Sequence, residues 1–273
     1  MLRKSEPCGL RSERGNKEMK ANRIYPGLLM LTVVLFSVNT ANAEIFKKAE
    51  PTAQNTDFIE GSLLRPRGDV PFNRVWKASK FDKGDFSEIY IAPVNTDYVR
   101  QSSWWSELNV QEVEDDLDEL AASFRSKIRR AFWNAPYNRF KVVNKPGPKT
   151  LIFELAITEL IPNKAGYEVL LTAAGPAAGS LAATAGAGAA KTVGSKSTIA
   201  IEARIRDGGD GAIVGMFSDR EYEKGSIINI RNFSWYGQIE LIMDEWAEQF
   251  VKVANKSPRD IVADTPTFSF KPW

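Results

Sequence analysis

The sequence predicts an α+β fold in which a mostly antiparallel sheet carries two amphipathic helices packed on one face. Two long segments repeat apolar residues every three or four positions, as helices with one buried face do. Several shorter segments alternate apolar and polar residues with the period of a strand. Along the chain the order is strand, helix, strands, a Gly/Ala-rich insert, a hairpin and a final helix, which indicates the α+β class.

Turn residues and β-branched residues delimit the strands. Pro93 ends the first strand, because a proline cannot donate a hydrogen bond to a sheet. The turn at 207–211 joins two alternating segments into a hairpin. It is acidic but lacks the spaced carboxylates of a calcium loop, so no metal site is predicted. Strands are predicted at residues 87–94, 137–143, 151–160, 167–171, 197–206 and 212–222.

The two helices are predicted at 109–133 and 237–255. The first is acidic in its early turns and basic in its late turns, which matches the helix dipole and predicts a solvated charged face. Pro136 follows its end. In the second helix Trp246 lies on the apolar stripe and is interpreted as a core residue.

The first 43 residues are predicted to be a secretory signal peptide. Basic residues precede an apolar run over 28–38, and the run closes on small residues with cleavage expected after Ala43. Met19 is an alternative start. The remaining regions are an irregular N-terminal extension, the domain, its Gly/Ala-rich insert and a C-terminal tail, at residues 44–83, 84–256, 172–193 and 257–273. The expected location is the periplasm or the periphery of the outer membrane.

Composition restricts the available chemistry. The chain has no histidine, and its one cysteine, Cys8, precedes the apolar run and would be lost with the signal. Histidine triads, thiolate nucleophiles, disulfides and Zn–S sites are therefore excluded from the exported form. Seven of the 36 basic and three of the 34 acidic residues lie in residues 1–43, so the exported form would be slightly acidic. No catalytic residue, metal, cofactor or nucleic-acid partner is predicted.

Small residues and exposed-looking aromatic residues provide the candidate contact sites. The insert repeats glycine and alanine at short spacing, which allows close backbone approach in oligomer or membrane contacts; a flexible surface loop is the alternative. A loop with two adjacent tryptophans and an aromatic tail could also meet a partner. The predicted contacts with an envelope protein, the outer membrane surface or a second copy are Trp104, Trp105, Gly175, Gly179, Gly186, Gly188 and Trp273.

Five features together resemble a known family: the strand at 89–94, the long helix, the Gly/Ala-rich insert, the strand at 201–207, and the path from Trp235 into the last helix. The chain resembles a family of bacterial envelope lipoproteins of unknown function, DUF family 3313. The resemblance covers about residues 87–255 and implies no catalytic residue. It also implies a lipid-modified cysteine after the signal, which this chain lacks.

Three functions are open from the sequence. The favoured hypothesis is a non-enzymatic interaction or assembly module of the cell envelope. A carrier of a small apolar ligand is the alternative, with three tryptophans as candidate pocket residues. A cell-wall hydrolase is less favoured. Its candidates are paired carboxylates, which solvent-facing strand positions also explain, and an adjacent Ser-Lys pair whose ammonium is not placed to deprotonate the hydroxyl. The candidates for these alternatives are Trp76, Trp133 and Trp235 for the carrier, and Glu154, Glu202, Ser195 and Lys196 for the hydrolase.

Overall fold

The computed structural model describes residues 56–102, 105, 111–173, 196–223 and 235–264. These residues lie within one compact unit, Phe46–Trp273. Within them the strands are β1 Arg74–Lys77, β2 Glu88–Ile91, β3 Lys141–Val143, β4 Thr150–Ile161, β5 Thr198–Asp207 and β6 Ile213–Tyr222. The helices are α1 Asp97–Arg100, α2 Gln111–Asn134, α3 Lys164–Ala173 and α4 Gly237–Asn255. The α+β class is confirmed.

The six strands form one mixed sheet in the order β1-β6-β5-β4-β2-β3. The half made of β1, β6, β5 and β4 is antiparallel, whereas β2 runs parallel to both β3 and β4. The prediction of a mostly antiparallel sheet is corrected on this point. The parallel half arises because α2 carries the chain from the end of β2 back to the level at which β2 began, as a crossover helix does.

Inward-facing residues of the sheet share one hydrophobic core with α2 and α4. Phe250 on α4 packs against Phe153 of β4 and Phe217 of β6, with ring centroids 5.2 and 5.5 Å apart. Phe124 on α2 packs against Trp246 and Phe250. Each helix therefore reaches the core through the apolar stripe that its sequence predicts.

The outward face of the sheet is partly covered by residues 56–65. Ile59 and Leu64 are buried against Met216 in a second, smaller core. The guanidinium of Arg204 lies 4.3 Å from the ring centroid of Phe58. The sheet is thus buried on both faces near β5 and β6, which explains why burial continues across consecutive residues of β5.

Two local predictions are wrong. Residues 167–171, predicted to continue the sheet, lie in α3. Asn163 starts this helix by accepting a hydrogen bond from Gly166 N at 2.7 Å, which is the role of an N-cap residue. The N-terminal extension, predicted to be irregular, contains β1, which pairs with β6 through the register of Val75 and Phe217.

Candidate ligand-binding cavity

The predicted contact residues are mostly outside the described part of the chain. Trp104, the four glycines of the insert and Trp273 fall there, so their role stays a prediction. Trp105 is described, and the prediction that it contacts a partner is corrected, because its side chain is only 3% exposed and belongs to the core. Its indole N–H donates to Glu114 Oε1 at 2.7 Å, and its ring lies 6.0 Å from that of Trp235. This arrangement leaves no Trp105 surface for a partner.

The two carboxylates considered for a hydrolase lie on the same face of the sheet, and each has structural partners. Glu154 pairs in register with Arg204, two residues beyond Glu202 on β5, so both glutamates lie on the outward face. Glu154 forms ion pairs with Arg204 and Arg206. Glu202 is buried and accepts hydrogen bonds from the backbone N–H and the hydroxyl of Thr56. Both carboxylates therefore hold parts of the fold together.

The Ser-Lys pair is only half described: Lys196 is exposed, and Ser195 lies outside the described residues. Among the described residues, no cluster of three or more acidic side chains could hold a metal ion. None of the helices in that part of the chain combines the length and apolar character needed to cross a membrane.

A cavity of about 630 Å³ lies between the sheet and the C-terminal ends of α2 and α4. This volume is within the usual range of small-molecule pockets. Its walls include buried aromatic and aliphatic side chains from both helices and from β2, β4 and β6. The buried wall residues include Phe72, Ile89, Phe132, Phe140, Phe153, Phe217 and Phe250.

Gly215 contributes to the cavity by lacking a side chain. It lies on β6 in register with Ile205 and lines the cavity wall. A Cβ atom at this position would lie 3.4 Å from Ile205 Cδ1, so a larger side chain would take up cavity space. Glycine inside a strand weakens the strand and often marks such a close approach.

The mouth of the cavity is rich in positive charge. Five basic and two acidic residues line the cavity, and most of these charged residues are exposed or partly exposed. Asp69 is already neutralised, because it forms ion pairs with Arg67 and Lys256 at 2.7 and 3.0 Å. These ion pairs hold the pKa of Asp69 at about 2. The charged lining residues are Arg67, Asp69, Lys77, Lys80, Asp82, Lys83 and Lys256.

The surroundings of Lys83 show the effect of this positive charge. Its ammonium donates to the carbonyl oxygens of Ala254 and Lys256 at the end of α4, so it is held in place. Partial burial lowers its pKa, and the neighbouring charges of Arg139, Lys256 and Lys77 lower it further. Among the described residues, Lys77, Lys80 and Lys83 form no ion pair, so an anion at the mouth would relieve their mutual repulsion.

Only one of the three tryptophans considered for a pocket lines this cavity. Trp76 does so from β1. Trp133 is 75% exposed at the end of α2, and Trp235 is buried beside Trp105. The lysines at positions 77, 80 and 83 were not among the predicted site residues, although their three-residue spacing in a segment predicted to be irregular is visible in the sequence.

The sequence matches the family described as "Protein of unknown function (DUF3313)" over residues 54–250. The chain belongs to this family. The DUF3313 segment spans the whole sheet and most of α4, so it includes most of the cavity lining. The family resemblance is confirmed; its envelope and lipoprotein aspects stay predictions.

No curated protein matches the sequence. Among solved structures, the DUF3313 chain is similar to two dodecamers of PelC from Paraburkholderia phytofirmans, one of them a methionine-for-leucine variant. Both are 7% identical; the matches cover 67% of this chain and 98% and 97% of the PelC chains, with TM-scores of 0.35 and 0.36. Superpositions this loose carry no argument about assembly or function.

Proposed function

We propose that this DUF3313 protein is a non-enzymatic component of the bacterial cell envelope that binds a small amphipathic ligand, with the apolar part inside the cavity and a negatively charged end at its mouth. The observation that supports this most directly is the combination of an aromatic wall with three lining lysines, Lys77, Lys80 and Lys83, that form no ion pair with another described residue. Export to the periplasm, with removal of residues 1–43, is part of the proposal and rests on the signal-like sequence.

The cavity offers contacts for both the apolar part and the charged end of such a ligand. Apolar surface removed from water contributes about 25 cal/mol per Å², so an alkyl chain inside the aromatic walls supplies most of the affinity. The lysines at the mouth supply charge-assisted hydrogen bonds to a carboxylate or phosphate and thereby orient the ligand. A neutral hydrocarbon would use only the first of these contributions.

A first experiment reduces the cavity space. Val253 lines the cavity from α4, so Val253→Trp should occupy part of it and weaken binding of a fluorescent fatty acid. Leu241→Trp is the matched control on the same helix, because Leu241 is 43% exposed and does not line the cavity. Equal binding by the Val253→Trp variant and the unmodified protein would contradict the proposal.

A second experiment tests the charge at the mouth. Replacing both Lys77 and Lys80 with glutamate should weaken binding of the fatty acid about tenfold or more, since each reversed charge contributes on the order of 1 kcal/mol. Lys145→Glu, on the turn before β4, is the control outside the cavity. Binding of the corresponding uncharged alcohol should change little in both variants. Native mass spectrometry of protein extracted from cells would identify the natural ligand.

The interaction or assembly role depends on residues outside the described part of the chain and stays a prediction. Deleting residues 172–193 and measuring oligomeric mass by light scattering tests whether the insert joins copies of the chain. Cell fractionation, with the N-terminus read by mass spectrometry, tests export and cleavage after Ala43. Intact precursor in the cytosol would contradict the envelope location.

A further inference from the structure

Residues 125–149 contain eight lysines and arginines and no acidic residue. They form the second half of α2, the turn after it, β3 and the turn before β4. A local excess of one charge repels itself, and it creates a surface potential that attracts the opposite charge. The basic residues are Arg125, Lys127, Arg129, Arg130, Arg139, Lys141, Lys145 and Lys149.

Little of this charge is used inside the fold. Lys127 forms an ion pair with Asp244 on α4, and Arg125 donates to the carbonyl oxygen of Ile91. Arg130 and Arg139 are exposed, and neither forms an ion pair with another described residue. The dipole of α2 explains a preference for cations in its last turns, but not their continuation through the turn and β3.

Two large aromatic side chains project from the same region. Trp133 is 75% exposed and Tyr137 is 92% exposed, whereas the described tryptophans 105, 235 and 246 are buried. Tryptophan and tyrosine are enriched where proteins meet the boundary between lipid and water, because their rings are apolar and their N–H or O–H group is polar. Exposed aromatic rings beside unpaired cations match the surface of an anionic bilayer.

The turn after α2, which begins just beyond Trp133 and contains Tyr137, is held in a fixed conformation. The Asn138 side chain donates to the carbonyl oxygens of Phe132 and Phe140. Arg139 N donates to Asn255 Oδ1 at 3.0 Å, which ties the turn to the end of α4. Phe132 and Phe140, next to Trp133 and Arg139 in sequence, are walls of the cavity.

We infer that an aromatic-basic patch, made of Arg129, Arg130, Trp133, Tyr137 and Arg139, docks this protein on a membrane surface rich in anionic phospholipid. The two rings enter the headgroup region, and the guanidinium groups lie over the lipid phosphates. The patch adjoins the cavity wall, so a docked protein would have its ligand site close to the lipid. The docking itself does not require that the cavity bind anything.

The test uses the protein as recovered from the cell envelope and measures its sedimentation with vesicles. We expect binding to phosphatidylcholine vesicles that contain phosphatidylglycerol, little binding to pure phosphatidylcholine, and a decrease as salt is added. Arg130→Glu with Arg139→Glu should reduce the affinity about tenfold or more. Lys164→Glu with Lys196→Glu, two exposed lysines outside the patch, should leave it unchanged.

The aromatic contribution has its own readout. Trp133→Ser with Tyr137→Ser should lower vesicle affinity, whereas Leu241→Ser with Ile261→Ser, also exposed apolar residues, should not. Brominated lipid should quench part of the tryptophan fluorescence of the unmodified protein and less of that of Trp133→Phe. Failure of the unmodified protein to bind anionic vesicles, or equal binding by the Arg130→Glu, Arg139→Glu variant, would overturn the inference.

Docking and ligand binding can fail separately. Val253→Trp, which narrows the cavity, should still sediment with anionic vesicles as the unmodified protein does. The Trp133→Ser, Tyr137→Ser variant should still bind a fluorescent fatty acid in solution without vesicles. Loss of vesicle binding in Val253→Trp would contradict a docking surface that is independent of the cavity.

Discussion

Asp219 is a buried carboxylate on the core face of the sheet that joins three parts of the fold. Its Oδ1 accepts a hydrogen bond from Asn73 N at 2.9 Å, and its Oδ2 accepts one from the Trp246 indole at 2.8 Å. It thereby connects β6 with α4 and with the residue that precedes β1. A buried charge is tolerated when such donors satisfy it.

Asp219→Asn should lower the free energy of unfolding by about 1–3 kcal/mol, since an amide N–H₂ would face one of the two buried donors. Asp244→Asn is the control: its side chain is about half exposed, and its pair with Lys127 contributes no more than about 1 kcal/mol. Urea denaturation of both variants measures the difference. Equal losses would show that the Asp219 hydrogen bonds contribute nothing beyond a surface pair.

Glu202 predicts a pH dependence of stability. Burial raises the pKa of Glu202 above its ordinary value of 4.5, and the charge of Asp57 raises it further, whereas the Thr56 hydrogen bonds lower it. The folded protein therefore retains this proton to higher pH than the unfolded chain does. Its contribution to stability is complete below pH 4.5 and is lost as the pH rises through the folded pKa.

Replacing Glu202 with glutamine removes this titration. The unfolding free energy of the natural protein minus that of Glu202→Gln should therefore be largest near the acidic end of the range and decrease as the pH rises. Urea denaturation across that range measures it, and the subtraction cancels the other carboxylates. A difference that stays constant with pH would contradict the raised pKa.

At the scale of elements, α2 and α4 are held together by aromatic side chains that lie on the apolar stripes predicted from the sequence. Phe124 should be the most sensitive position of α2, because it is fully buried against Trp246 and Phe250. Phe124→Ala should cost about 3–5 kcal/mol in unfolding free energy. Trp133→Ala, a larger truncation at the exposed end of the same helix, should cost less than about 0.5 kcal/mol. Thermal or urea unfolding distinguishes them.

The elements differ in how well the sequence predicts them. The last helix was predicted at 237–255 and has those bounds, because its stripe is repeated over five turns and each repeat adds to the signal. Strands β1 and β3 have four and three residues, too few to establish a period. The start of helix α3 is marked by one residue, the cap Asn163. The apolar pattern around Tyr167 resembles that of a strand, so this helix was not predicted.

The cavity could not be predicted in the same way. Its walls come from residues far apart in the chain that meet only after the sheet has formed, and Trp76 was the one candidate that the structure places there. The parallel pairing of β2 also follows from the path of the whole chain, not from its local pattern. The spacing of apolar residues shows which face of a helix or strand is buried, but it does not show which element packs against that face.

At the scale of the whole molecule, residues 56–65 complete the outward face. Ile59→Asp should lower the unfolding free energy by about 2–4 kcal/mol and increase binding of a hydrophobic dye, because it places a charge against Met216. Leu63→Asp is the neighbouring control, since Leu63 is 37% exposed, and it should cost less than about 0.5 kcal/mol. Similar behaviour of the two variants would show that this segment does not stabilise the sheet.

Strand β1 lies at the sheet edge opposite β3; among the strands of the described residues it pairs with β6, more than 130 positions later in the chain. Thr56 and its acceptor Glu202 are likewise 146 residues apart. A polypeptide that crosses a membrane from its N-terminus delivers these early residues long before the strands that receive them. Under the export proposed above, these residues stay unpaired during translocation, so folding is completed only after the C-terminal half has arrived.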